Sequence, residues 1–274
     1  MDERAVAEQY ERPDLLSRIL TALRASGVDP DRLTTRDLAS VDEFHTGGRA
    51  ATTMVLGEAR PEPGMRVLDV GCGIGGAARA LAEDYRCEVF GIDLTTAYVE
   101  AARGLTKLAG LDQTCRFAVA SATGLPFAER CFDALYCIHV AMNIADRNRL
   151  AGEFGRVLRA DGTLVLFDVV RKTSRPLTFP LPWAEMASAS ILLDLDETLA
   201  TLRRAGFRVR HTRSLRDFAV DWFERQLKRP APAASAPGIH LLTGANTREK
   251  LRNYHAALAA GDLDPVIIVA RAAA

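Results

Sequence analysis

Residues 66–76, Arg-Val-Leu-Asp-Val-Gly-Cys-Gly-Ile-Gly-Gly, put an acid, Asp69, into a short apolar run that breaks into glycines. A parallel strand ending in a glycine turn ahead of a helix presents backbone N–H groups and the positive end of the helix to an anionic ligand group. The spacing of Gly71, Gly73 and Gly76, with Asp93 further on, also satisfies the dinucleotide fingerprint, in which the later acid takes a ribose. Asp69 sits two residues before the first glycine, where a dinucleotide-binding strand carries another apolar side chain. An acid there suits a ligand with an ammonium group as well as a carboxylate. A nicotinamide-dependent oxidoreductase stays open as a rival on the glycine spacing.

A second group of residues could handle protons or orient an acceptor. His139 follows an apolar run in Cys137-Ile138-His139-Val140-Ala141-Met142-Asn143, so His139 and Asn143 are expected beyond the end of a central strand. A neutral imidazole there could take a proton from an amine, hydroxyl or acidic carbon, or orient the acceptor by a hydrogen bond. His45 lies in Glu43-Phe44-His45-Thr46-Gly47-Gly48, ahead of a predicted helix. Phe179, Pro180, Pro182 and Trp183 can shape an apolar acceptor site, and His240 sits in a late segment on the substrate side. The five histidines show no close pair of metal-motif spacing, so no metal is expected.

These features occur in an order that resembles the class I S-adenosylmethionine-dependent methyltransferases, and within them the small-molecule type represented by the sarcosine/dimethylglycine and quinone/sterol enzymes. Val67-Leu68-Asp69-Val70-Gly71-Cys72-Gly73-Ile74-Gly75 has the form of the family's glycine motif, and Gly91-Ile92-Asp93-Leu94 looks like its second-strand end. Cys131-Phe132-Asp133-Ala134-Leu135 looks like the approach to its fourth strand, and 156–164 like its helix-turn-fifth-strand junction. The resemblance covers about residues 45–170. It implies S-adenosylmethionine as cofactor, held by Asp69, Gly71, Cys72, Gly73, Gly75, Asp93, Leu94, Ser121, Ala122 and His139. Asp93 is implied as the ribose ligand and Leu94 as a neighbour of adenine. It implies that His45, Gly47 and Gly48 fold over the cofactor. His139 and His45 are the catalytic candidates, and Asn143, Phe179, Trp183 and His240 the substrate-binding ones. Ser121 stands where the family often has an acid toward the adenine amino group, and a hydroxyl accepts that bond less strongly. The implied reaction is methylation of a small metabolite or natural-product intermediate at nitrogen, carbon or oxygen. A cyclase or non-catalytic cofactor-binding protein built on the same fold is the alternative.

To position these residues the chain needs a doubly wound α/β sheet. From Met65, apolar runs alternate with amphipathic segments. Strands are predicted near 65–70, 87–92, 115–120, 133–138 and 163–170, with helices near 76–84, 96–109 and 146–159 between them. A helix near 194–205, a strand near 207–213 and a last strand at 265–270 complete a mostly parallel seven-stranded sheet. Residues 1–62 read as a helical cap, with Asp29-Pro30 a helix start and Thr34 with Asp37 a capping box. The core, 63–274, embeds two lid segments: 171–193, rich in proline, and 214–261, which holds helices near 215–228 and 246–260.

Composition bounds the rest. With 274 residues, 48% of them apolar, the chain can bury a full core, and 35 basic residues cancel 35 acidic ones. No net field draws it to nucleic acid or an anionic membrane, so a small-molecule substrate is favoured. Five cysteines without a Cys-x-x-Cys pair read as buried thiols in a reducing cytoplasm. The first eight residues have no signal-peptide character, and no run reaches membrane-spanning length.

Overall fold

A computed structural model describes residues 10–230, 233 and 235–273. The first eight residues and part of the proline-rich stretch 229–238 lie outside the described residues. Seven strands form one sheet: β1 Arg66–Val70, β2 Glu88–Asp93, β3 Cys115–Val119, β4 Phe132–Ile138, β5 Leu158–Arg171, β6 Arg208–Ser214 and β7 Leu263–Arg271. Their order is β3-β2-β1-β4-β5-β7-β6, parallel except that β7 runs antiparallel to both its neighbours. The connection after β1 turns toward β2, whereas β4 leads outward to β5. The sheet therefore has its switch point between β1 and β4, where open α/β sheets bind ligands.

Alternation along β1 splits the core. Val67 joins the cluster on one face, while Leu68 and Val70 join the cluster on the other. Asp69 falls on the Val67 side of that alternation, at the strand's carboxyl end. Helices cover both faces: α1 Leu15–Ala25, α2 Thr35–Leu38, α3 Gly48–Gly57, α4 Gly76–Tyr85, α5 Thr96–Leu108, α6 Arg147–Val157 and α7 Leu195–Arg204. Asp29 caps a 3-10 turn at Pro30–Arg32, and Thr34 with Asp37 closes a capping box on α2. Asp194 and Glu197 close another on α7, where the sequence placed an acid.

The fifth strand differs from expectation. A helix was predicted to residue 159 and a strand from 163, but α6 stops at Val157 and Leu158 is already extended. Pairing explains it: Leu158 partners Phe132 across an irregularity in the β4–β5 register, which draws the chain into the sheet before its apolar run begins. The 214–261 insertion folds as α8 Arg216–Lys228, a short α9 His240–Thr243 that was not anticipated, and α10 Thr247–Ala259. Leu241 and Leu242 of α9 share a cluster with Leu15, Ile19 and Leu23 of α1 and with Ile74 of the glycine turn. Cap and insertion thus meet over the carboxyl ends of the strands. No helix of the described residues is long and apolar enough to cross a membrane.

Candidate functional site

One cavity of about 1220 Å³ opens over β1, β2 and β4, roofed by the 39–50 segment, Trp183 of the first lid and the α8–α10 insertion. Gly71 lets the chain leave β1. It has φ +73°, and a Cβ there would lie 2.2 Å from Val140 Cγ2, so the turn packs directly on the segment after β4. Gly73, at φ +53°, borders the cavity, and a Cβ on it would meet nothing within 4 Å.

Four amides of the turn are not the bare donors that its glycines suggest. Gly71 N and Cys72 N both donate to Ile92 O, at 2.8 and 2.9 Å, and Gly75 N donates to Cys72 O at 2.9 Å. Gly73 N donates to Asp93 Oδ2 at 2.9 Å, while Thr95 N donates to Asp93 Oδ1 at 2.9 Å. What the turn presents instead is acid. Asp69 is 2% exposed, and its Oδ2 is buried with no hydrogen-bond partner. Burial, reinforced by the charge of Asp93, pushes the Asp69 carboxyl up to about 7. Burial also raises Asp93, against the hydrogen bonds from Thr95 and Gly73 that favour its charged form.

Most of the residues singled out from the sequence converge here: Asp69, Gly71, Cys72, Gly73, Asp93, Leu94, Ser121, Ala122, His139, His45, Asn143, Trp183 and His240 all border the cavity. Two do not. Gly75 stands behind the turn, where a Cβ would meet Arg79 and Phe117 at 2.9 Å, so it shapes the start of α4 and is not part of the wall. Phe179 packs into the apolar cluster around Leu181 and Tyr254, because the lid turns it inward to the protein. Ser121 Oγ accepts from Thr123 N at 3.0 Å and pairs with Thr123 Oγ1 at 2.9 Å, a local turn bond.

The two histidines behave differently. His139, at φ +55°, donates its backbone N–H to Phe167 O at 2.7 Å, and its ring meets Phe167 edge-on at 4.7 Å between centroids. Its Nε2 is buried with no partner, and burial, with the nearby His45, drives its pKa well below the usual imidazole value. It is a neutral ring with a lone pair or a proton to spare. His45 lies 6.1 Å away, but both of its nitrogens are occupied: Nδ1 by Thr46 O at 3.2 Å, Nε2 by Glu43 Oε2 and Thr52 Oγ1 at 2.9 Å each. His45 thus borders the cavity with both ring nitrogens in contact with the protein.

Glu43 is the residue that sequence reasoning missed. It accepts from Thr52 Oγ1 as well as His45 and pairs with Arg49 at 3.4 Å, and these partners outweigh burial to hold its carboxyl below the usual range. The signal was the Glu-x-His spacing in the quoted segment. Asn143 spends its amide on the lid: Nδ2 donates to Trp183 O at 3.0 Å, and Oδ1 accepts from Tyr10 OH at 3.2 Å. Tyr10 and Tyr254, whose OH lies 2.9 Å from Thr46 Oγ1, were also missed, since isolated tyrosines carry no spacing signal. Among the described residues no group of three or more His, Cys, Asp or Glu is placed to share a metal ion.

Residues 68–166 match the family described as "Methyltransferase domain". "Methyltransferase GfsG" of Streptomyces halstedii is 31% identical over 207 residues, 74% of this chain and 72% of that protein. The chain belongs to the methyltransferase family. An "O-methyltransferase" of Pyrenophora dematioidea is 31% identical over 159 residues, 58% of this chain, and the match spans only 60% of that relative's length. Among solved structures, a geranyl diphosphate C-methyltransferase from Streptomyces coelicolor superposes with a TM-score of 0.71 over 98% of this chain and 97% of that one, at 17% identity. This methyltransferase thus shares its fold with a protein of very different sequence.

Proposed function

We infer that this methyltransferase uses S-adenosylmethionine to methylate nitrogen, carbon or oxygen of a small metabolite or natural-product intermediate, as expected of an enzyme of secondary metabolism. The observation that carries the reading is the chemistry of the turn: the amides of Gly71, Cys72, Gly73 and Gly75 are spent inside the protein, and two buried acids border the cavity beside them. A pyrophosphate would meet carboxylates where it needs donors, which argues against the nicotinamide rival. An amino-acid tail with an ammonium group and a ribose diol fits the same acids.

The residues present suit that cofactor. Asp69 would hold the ammonium group, the open space at Gly73 would admit the ligand against backbone, and Asp93 would take the ribose. Leu94, Ser121 and Ala122 would border the adenine. When bound, S-adenosylmethionine supplies a methyl group activated by a sulfonium charge, so the protein's part is alignment and exclusion of water. His139 would orient the acceptor as a neutral ring, and as a base it would take up the proton of a hydroxyl or amine against the burial that disfavours its imidazolium. The Glu43–His45–Thr52 network holds the roof, and Asn143 ties the first lid to it. The five free thiols fit a reducing compartment such as the cytoplasm.

Transfer of label from methyl-labelled cofactor to a panel of neutral alcohols, amines and acidic carbon compounds tests this. His139→Ala is expected to slow turnover about 10²-fold or more with little change in cofactor affinity. A variant as fast as the parent would reduce His139 to a wall residue. No transfer to any acceptor, with the cofactor bound, would favour the cyclase or non-catalytic alternative.

A further inference from the structure

Glu185 of the first lid does not border the cavity, yet separate covers of the cavity meet on it. The lid is an excursion fastened at both ends: Arg171 N donates to Leu193 O at 2.9 Å, and Lys172 N to Asp262 O at 2.8 Å. Between these ends Trp183 enters the wall and meets Tyr254 edge-on at 5.1 Å, while Leu181 and Ala184 sink into the same apolar cluster. Two residues on, Glu185 Oε1 takes Lys250 Nζ at 2.5 Å, and Oε2 accepts from Asn246 Nδ2 at 3.0 Å, both from the insertion. Against partial burial, these two partners and the charge of Arg12 hold its carboxyl below the usual range. Arg12 precedes α1, so the N-terminal cap feels this carboxylate as well.

An exposed ion pair contributes little, because each charge returns to water when the pair parts. Lys250 is different: it is 4% exposed, its ammonium donates to Thr243 O at 3.1 Å, and the carboxylate that answers it is Glu185. Lifting the lid therefore leaves a buried ammonium without its counter-ion, a penalty that apolar packing alone does not impose. The same lid is tied to the half of the cavity that holds the two acids. Tyr10 OH donates to Asn143 Oδ1 at 3.2 Å and lies 3.4 Å from Trp183 O. Its ring meets Tyr98 at 6.1 Å between centroids, and burial together with the nearby charge of Asp93 raises its phenol. A displacement of Trp183 is thus felt beside Asp93.

We propose that Glu185 is a positioning residue that sets how long the cavity stays closed: by holding Lys250 and Asn246 it keeps the first lid, and with it Tyr10, in place beside Asp93. What the lid encloses rests on the S-adenosylmethionine reading above. Hydrogen exchange of the full chain without cofactor reads the lid through the amides of Ala184 and Ile191, bonded to Leu181 O at 3.1 Å and Met142 O at 2.9 Å. Glu185→Gln is expected to speed their exchange about ten-fold or more, with β1 and β4 unchanged. Dissociation of S-adenosylhomocysteine, followed by the emission of Trp183 and Trp222 at the cavity wall, is expected to quicken by a similar factor. Lys250→Met is expected to match Glu185→Gln, and the double variant to be no faster than either. Should Lys250→Met fail to fold, Asn246→Ala replaces it, with a smaller effect of the same sign. Lid exchange at the parent rate, or a rise shared equally by the strands, would overturn the proposal. So would additive effects in the double variant, or unchanged dissociation of S-adenosylhomocysteine from a variant whose lid exchanges faster. A parent protein that binds no S-adenosylhomocysteine would remove the cofactor reading, while exchange in the free protein still decides whether Glu185 holds the lid.

Discussion

Asp93 spends both carboxylate oxygens on the backbone of its own site, holding Gly73 N and Thr95 N at 2.9 Å, and in doing so fixes the turn against which a ligand must lie. Asp93→Ala is expected to weaken S-adenosylmethionine binding by about 1–3 kcal/mol, from the loss of charge-assisted bonds; unchanged affinity by calorimetry would remove it from the site. Asp69 makes a sharper demand. Its carboxyl is raised to about 7, so the free protein holds a proton there below that pH. A ligand ammonium beside it favours the carboxylate, and binding must then release the proton. Calorimetry at pH 6 in buffers of different ionisation enthalpy is expected to show release approaching one proton, falling away by pH 8.5; equal values at both would place the ammonium elsewhere. Asp69, Asp93 and His139 were legible because each follows an apolar run at a strand end. Glu43 had only its Glu-x-His spacing to signal it, and its ties to Thr52 and Arg49 on α3 are contacts that no local pattern encodes.

The segment 39–47 has no regular structure to hold it over the cavity, and a buried ion pair does this work. Arg79, fully buried on α4, donates through Nη2 to Asp42 at 2.9 Å and through Nη1 to Thr106 on α5 at 3.0 Å. Burial pushes Asp42 up to about 6 even with Arg79 beside it, so the pair locates the segment more than it stabilises the fold. Arg79→Met leaves Asp42 buried without a partner and is expected to cost about 3–5 kcal/mol in chemical unfolding. A loss below about 1 kcal/mol would mean that the segment is held by other contacts. Sequence reading gave strand and helix positions well where periodicity was long, as in β1, β2 and α5. It misplaced the α6–β5 junction, where the Leu158–Phe132 pairing decides, and passed over α9, whose four residues are too few for a period to appear.

At the scale of the whole molecule, cap and insertion share one apolar cluster with the glycine turn, and Lys250 of α10 reaches Glu185 of the first lid at 2.5 Å. Cap, insertion and glycine turn are therefore built against one another, with the 171–193 segment tied to the insertion. The order of glycine turn, second acid and later strands was enough to anticipate the core and its switch point. The insertion was expected as a lid, but which faces of α8 and α10 line the cavity was not legible, because both read as ordinary amphipathic helices until the fold brings them together. The central claim is that the buried acids beside the turn receive an amino-acid tail and a ribose. Titration calorimetry of the full chain with S-adenosylmethionine, S-adenosylhomocysteine and NAD tests it most directly. Saturable one-to-one heat from the first two and none from NAD is the expected result; no heat from either sulfur compound, or heat from NAD alone, would contradict it.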